Sequence, residues 1–217
     1  MSDPGIDAGA ARAWVRGAAD VFGRRMDYLT GLDTAIGDGD HGTNMQRGFA
    51  AAAEAVGSGD HGTAGEVFTT TGRTLISSVG GASGPLYGSL FRTAGKRLSG
   101  AGTEPGDVGS ALEDGVEAVG RLGGAREGDK TLLDACLPAV AALTGVLRSR
   151  GDVVEAARAA ADAAAKGAKD TEDMVARKGR ASYMGQRSAG HRDPGAASAA
   201  LLFEALATAV GESKETG

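Results

Sequence analysis

Apolar side chains recur every three or four positions along most of this 217-residue chain, and strand-like alternation is nearly absent. Leu132, Leu133, Cys136, Leu137, Val140, Leu143 and Leu147 show the pattern, because winding at 3.6 residues per turn gathers them on one face. The same reading predicts eight helices, over residues 7–30, 43–56, 63–78, 84–99, 107–122, 130–149, 152–176 and 193–212. Between them lie "IGDGDHG", "GSGDHG", "VGGASGP", "SGAGTEPGD", "GGAREGDK" and "SRGD", where Gly, Ser, Pro and Asp supply turns and helix caps. Short connections between long helices imply antiparallel neighbours, so the expected fold class is an all-α bundle in one domain, 1–217. One long connection stands apart: across residues 177–195, "RKGRASYMGQRSAGHRDPG", helical periodicity fades. Long loops in compact domains are often functional.

Composition narrows the packing. With 37 glycines and only 4 % aromatic residues, the core must be built largely from Ala, Val and Leu on closely approaching helices. A formal net charge of -5 provides no basic stripe, which argues against nucleic acid as a partner. Cys136 is the one cysteine, on an apolar helix face, so neither a disulfide framework nor a Cys-ligated zinc site is available. The N-terminal "MSDPGIDAGAARAW" lacks a basic region followed by an apolar one, and no run approaches the ~18 apolar residues of a membrane helix. The expectation is a soluble cytoplasmic chain with no membrane partner.

Chemistry concentrates in "LTGLDTAIGDGDHGTNM". Asp33 lies near the end of one helix, and Asp38 and Asp40 flank Gly39, which lets the chain bend so that both neighbours can face one point. Converging carboxylates repel unless a cation sits among them, and an all-oxygen set suits Mg²⁺. "HGTNM" then opens a helix whose free N–H groups attract an anion such as a phosphate. Taken alone, DGD in a Gly-rich loop reads as a solvated turn with an N-cap.

Gly-Asp-His-Gly-Thr recurs at residues 59–63, where Ser58 and Ala53 replace the first two carboxylates. There, Thr63 and Glu66 fit a capping box, so the echo reads as a plain helix start. "SSVGGASGPLYG" offers a turn at Ala82 and Ser83 that brings backbone N–H groups near phosphates, or else a tight helix crossing. "GGAREGDKT" nearly spells a Walker phosphate loop, but Asp129 interrupts it and no strand precedes it, so that motif is rejected. "GRASYMGQRSAGHRDPGA" gathers Arg180, Arg187, His191 and Arg192; arginine pairs well with phosphate, and loops also need solubilising charge. Asp193-Pro194-Gly195 fits an N-cap with proline in the first turn.

The order of "GDGDHGTNM", "GGASGPLYGSLF", "GDKTLLDA" and "GRASYMGQRSAGHRDPGA" resembles the nucleotide-binding L subunits of dihydroxyacetone kinase over essentially the whole chain. The resemblance implies an eight-helix antiparallel barrel with ADP or ATP at one end. It also implies Mg²⁺ on Asp33, Asp38 and Asp40, and nucleotide contacts at His41, Gly42, Thr43, Asn44, Ala82, Ser83, Gly124, Leu132, Arg180, Asp193, Pro194 and Gly195. Arg180 joins the three aspartates as a catalytic residue. The implied partners are a K subunit that holds dihydroxyacetone covalently and, in the phosphotransferase version, an M subunit carrying phosphohistidine. Left open are the donor (ATP or the M subunit), the acceptor (dihydroxyacetone, another small ketose or another molecule), a nucleotide-dependent regulatory role, and the oligomeric state, a homodimer included.

Overall fold

Local chemistry sets where the helices begin. Asp7 Oδ1 accepts from Ala10 N at 2.7 Å, Asp152 Oδ1 from Glu155 N at 2.8 Å, and Thr63 and Glu66 cap each other reciprocally. The computed structural model describes residues 5–99, 105–149 and 151–215. Its helices are α1 (Ala8–Arg24), α2 (Met26–Ile36), α3 (His41–Ser58), α4 (Ala64–Ser78), α5 (Ser83–Leu98), α6 (Pro105–Gly123), α7 (Leu133–Arg148), α8 (Val153–Asp170) and α9 (Pro194–Glu215). Two 3₁₀ segments, Thr171–Asp173 and Arg180–Ser188, lie between α8 and α9. No strand occurs among the described residues. Residues 100–104 of the predicted turn "SGAGTEPGD", and Arg150 of "SRGD", lie outside the described residues.

The packing closes a ring: α1 meets α3, then each helix from α3 to α9 meets the next, and α9 returns to α1. This is the expected antiparallel barrel of eight helices. The ninth, α2, arises where the first predicted helix breaks at Arg25 (φ -108°, ψ 10°), and it packs on α3 and α9. The break carries α2 to one end of the ring, and with it Asp33.

Small residues allow the close contacts that composition demanded. Gly65 and Gly72 on α4 face Gly95 and Gly88 on α5, where a Cβ on Gly72 would sit 2.7 Å from Gly88 O and one on Gly95 2.7 Å from Gly65 O. The few aromatics cluster inside. Trp14 stacks edge-on to Phe68 at 5.4 Å and donates Nε1–H to Leu202 O at 2.8 Å, and Phe22, Phe49, Phe91 and Tyr87 extend the cluster. One expectation needs correction: residues Pro194–Glu212 reach a mean hydropathy of 1.3, long and apolar enough to cross a membrane. α9 is nevertheless a core helix, with 61 % of that window buried against its neighbours.

Candidate functional site

An antiparallel ring places the starts of alternate helices at the same end. The first residues of α3, α5, α7 and α9 (His41, Ser83, Leu133 and Pro194) all line one cavity of about 430 Å³. A helix start presents N–H groups that have no partner within the helix and the positive end of a dipole, worth roughly 0.3–1 kcal/mol to a nearby anion. Lys130, Lys178 and Arg180 line the same cavity. The end of the ring is therefore built for an anion although the chain as a whole is acidic.

The three aspartates meet at its edge. One carboxylate oxygen from each of Asp33, Asp38 and Asp40 lies within 4.8 Å of the others. Asp33, buried near the end of α2, uses a single oxygen, Oδ2, to accept from Asp40 N at 2.9 Å and His41 N at 3.1 Å. It thereby caps α3 from another helix, whereas Asp40, at the N-cap position, makes no side-chain cap. Gly39 turns the chain between Asp38 and Asp40 at φ +76°, a value that favours glycine. Asp38 pairs with Arg180, Nη2 to Oδ2 at 2.9 Å. Three hard oxygen donors beside an anion cavity fit Mg²⁺, whose remaining positions are commonly filled by water and phosphate oxygens.

His41 is buried and spends both ring nitrogens on hydroxyls, Nδ1 with Ser83 Oγ at 3.2 Å and Nε2 with Ser198 Oγ at 2.8 Å. Ser198 is bonded in turn to Tyr87 OH at 2.7 Å and to Gly195 O at 2.9 Å. This chain of polar groups ties the starts of α3, α5 and α9 together. Burial lowers the His41 pKa, with Asp33 and Asp40 opposing.

Asp193 caps α9, Oδ2 accepting from Ala196 N at 2.7 Å. Burial pushes its pKa up to about 7, against the Ala196 hydrogen bond and the Lys130 charge. A carboxyl raised above its unfolded value adds stability below the unfolded pKa and loses it as pH rises through the folded one. Asparagine caps equally well and does not titrate. Thermal unfolding should therefore show Asp193→Asn gaining on the wild type by about 2.5 kcal/mol between pH 5 and 8. A difference independent of pH would contradict a buried, raised carboxyl.

Of the residues singled out in the sequence, Asp33, Asp38, Asp40, His41, Asn44, Ala82, Ser83, Leu132, Arg180, Asp193, Pro194 and Gly195 line the cavity. Gly42, Thr43 and Gly124 do not. Gly42 lies under α2, Thr43 is exposed, and Gly124 turns the chain at φ +55° beside the lining residues Gly123 and Ala125. The sequence reading missed Lys130, Thr131, Lys178 and Tyr87. Lys130 belonged to a stretch set aside as a failed phosphate loop, and the others carried no signal beyond their quoted motifs.

Residues 35–208 match the DAK2 domain. The chain belongs to the DAK2 domain family. The chain is 42 % identical, over 92 % of its length and 95 % of the relative's, to the ADP-binding subunit DhaL of PEP-dependent dihydroxyacetone kinase from Escherichia coli K12. It is 40 % identical, over 90 % and 93 %, to the corresponding ADP-binding subunit of dihydroxyacetone kinase 1 from Listeria innocua. Among solved structures it resembles the C. freundii dihydroxyacetone kinase in complex with AMP-PNP and Mg²⁺, with a TM-score of 0.70 and 28 % identity over 96 % of this chain. The chain spans 35 % of that kinase chain. The family resemblance read from the motifs is thereby borne out, and with it the helical barrel.

Proposed function

We propose that this DAK2 domain, 1–217, is the ADP- or ATP-binding subunit of a dihydroxyacetone kinase, passing a phosphoryl group to dihydroxyacetone held covalently on a separate K subunit. One observation carries the reading: three carboxylate oxygens converge beside a cavity onto which four helix starts and the side chains of Lys178 and Arg180 open. The dihydroxyacetone kinase activity of the E. coli and Listeria relatives and the AMP-PNP and Mg²⁺ of the C. freundii kinase support it.

Asp33, Asp38 and Asp40 would hold the cation, and Mg²⁺ there supplies charge neutralisation to the phosphates. The helix starts and Arg180 would bind the phosphate oxygens, while Leu86, Val119, Leu122 and Leu132 give the cavity an apolar wall for a base. Phosphoryl transfer asks for positioning and charge stabilisation more than covalent chemistry, and the chain offers both.

Binding to the native state raises stability by about 2.7 kcal/mol at a hundred times Kd. At roughly 2–4 °C per kcal/mol, Mg²⁺ with ADP should raise Tm by about 5–10 °C. ADP alone should give clearly less, because the carboxylates then face the phosphates unscreened. Equal shifts with and without Mg²⁺ would contradict a shared site. Recharging bound ADP with ATP or with a phosphohistidine protein, in the presence of the K subunit, identifies the donor.

A further inference from the structure

Lys130 is the one non-glycine residue with positive φ among the described residues, at +61°. The left-handed region costs a side-chain-bearing residue roughly 1–2 kcal/mol, and such an outlier persists where its surroundings hold it. Its side chain is 1 % exposed, and Nζ donates to Thr171 O at 2.7 Å, Met174 O at 3.1 Å and His191 O at 2.5 Å. An ammonium has three N–H donors, and here each meets a main-chain carbonyl. Burial lowers the Lys130 pKa, and Asp193, Glu172 and Asp173 oppose that.

Those three carbonyls belong to both ends of one excursion, the strap of residues 171–191 that leaves the end of α8 and returns to the start of α9. Arg180 sits near its middle and pairs with Asp38. Elsewhere the strap rests on a small apolar contact of Ile36, Ala176, Ala181 and Met184. Its base is also closed by Gly190 N to Glu172 O at 2.7 Å and by Asp193 N to Thr171 Oγ1 at 2.9 Å. Arg177 N donates to Asp129 O at 3.0 Å, next to Lys130 itself.

We infer that Lys130 is a positioning residue: its buried ammonium staples the two ends of the 171–191 strap and so holds Arg180 over the carboxylate cluster. The lysine does not reach a phosphate in this role; it acts through main chain. Its consequence for phosphoryl transfer rests on the function proposed above, but the staple itself does not.

Lys130→Met keeps the stem and removes the donors. In the ligand-free chain, amides of residues 174–190 should exchange about tenfold faster than in the wild type, with those of α4 and α5 unchanged. Wild-type exchange across the strap would overturn the proposal. In the complex with the K subunit, the variant should lose about tenfold in kcat with little change in the acceptor KM, and the loss should shrink to within about twofold in an Arg180→Ala background. Equal losses in both backgrounds would also overturn it. If Lys130→Met does not fold, Lys130→Arg carries the same readouts, since a planar fork cannot reproduce three tetrahedral donors. Wild-type exchange and kcat in that variant would count against the staple. A wild-type chain that transfers no phosphoryl group would refute the kinase reading, while the exchange measurement would still decide the staple.

Discussion

Asp38→Asn is expected to cut phosphoryl transfer in the reconstituted complex about a thousandfold, while the far-UV circular dichroism remains that of the wild type. The side chain is exposed in the loop before α3 and makes an ion pair with Arg180, whose side chain is 66 % exposed. Exposed pairs contribute about 0–1 kcal/mol, so the fold should not notice the change. The cluster should. Asparagine keeps the shape but removes one of three charges whose oxygens converge within 4.8 Å, weakening the hold on a hard divalent cation, and it also removes the partner that draws Arg180 inward. Asp60→Asn is the matched control: Asp60 is exposed in the echo of the same five residues, whose Thr63 and Glu66 make a capping box. Asp60→Asn should stay within about twofold of wild type, as surface changes away from functional groups usually do. Activity within tenfold of wild type in Asp38→Asn would remove Asp38 from the cation set.

That pair of predictions shows what was legible in the sequence. The helices were, because an apolar face repeats at 3.6 residues and the caps are written in Asp and Thr. The difference between the two copies was also legible, since one has Asp33 and Asp38 at the right distance and the other has Ala53 and Ser58. The break at Arg25 was not. Arginine is a good helix former, and what bends the chain there is the packing of α2 across the end of the ring against α3 and α9. Asp33 as the cap of α3 follows from that bend, so it too was hidden. Lys130 was hidden for a different reason. The stretch around it lacks the strand a phosphate loop requires, and rejecting that motif was right, but the lysine serves carbonyls contributed 41 to 61 residues downstream. His41 shows the limit of reasoning by neighbours: it follows Asp40 and lines the cavity, yet both ring nitrogens serve Ser83 and Ser198.

Gly42 was expected to touch the nucleotide, but the structure gives the glycine another reason to be there. A Cβ at this position would overlap the carbonyl oxygen of Met26 and the hydroxyl of Thr30, and would lie 2.8 Å from Thr30 N. Two of those three atoms are backbone, so no rotamer change relieves the clash and α2 must withdraw from α3. Gly42→Ala should therefore cost about 3 kcal/mol or more, outweighing the ~1 kcal/mol by which alanine favours a helix. At roughly 2–4 °C per kcal/mol, Tm should fall by about 6–12 °C or more. Function falls with it, because Asp33 rides on α2. Its Oδ2 bonds to Asp40 N and His41 N, at 2.9 and 3.1 Å, span the gap that opens, so the extra Tm shift from Mg²⁺ with ADP should shrink as well. Gly31→Ala on the same helix isolates the cause. Gly31 is exposed and a Cβ there meets nothing within 4 Å, so that variant should gain about 0.5–1 kcal/mol. Thermal unfolding of the two variants side by side checks the argument: opposite signs are expected, and equal shifts would mean that the close approach of α2 to α3 is not what requires glycine at position 42.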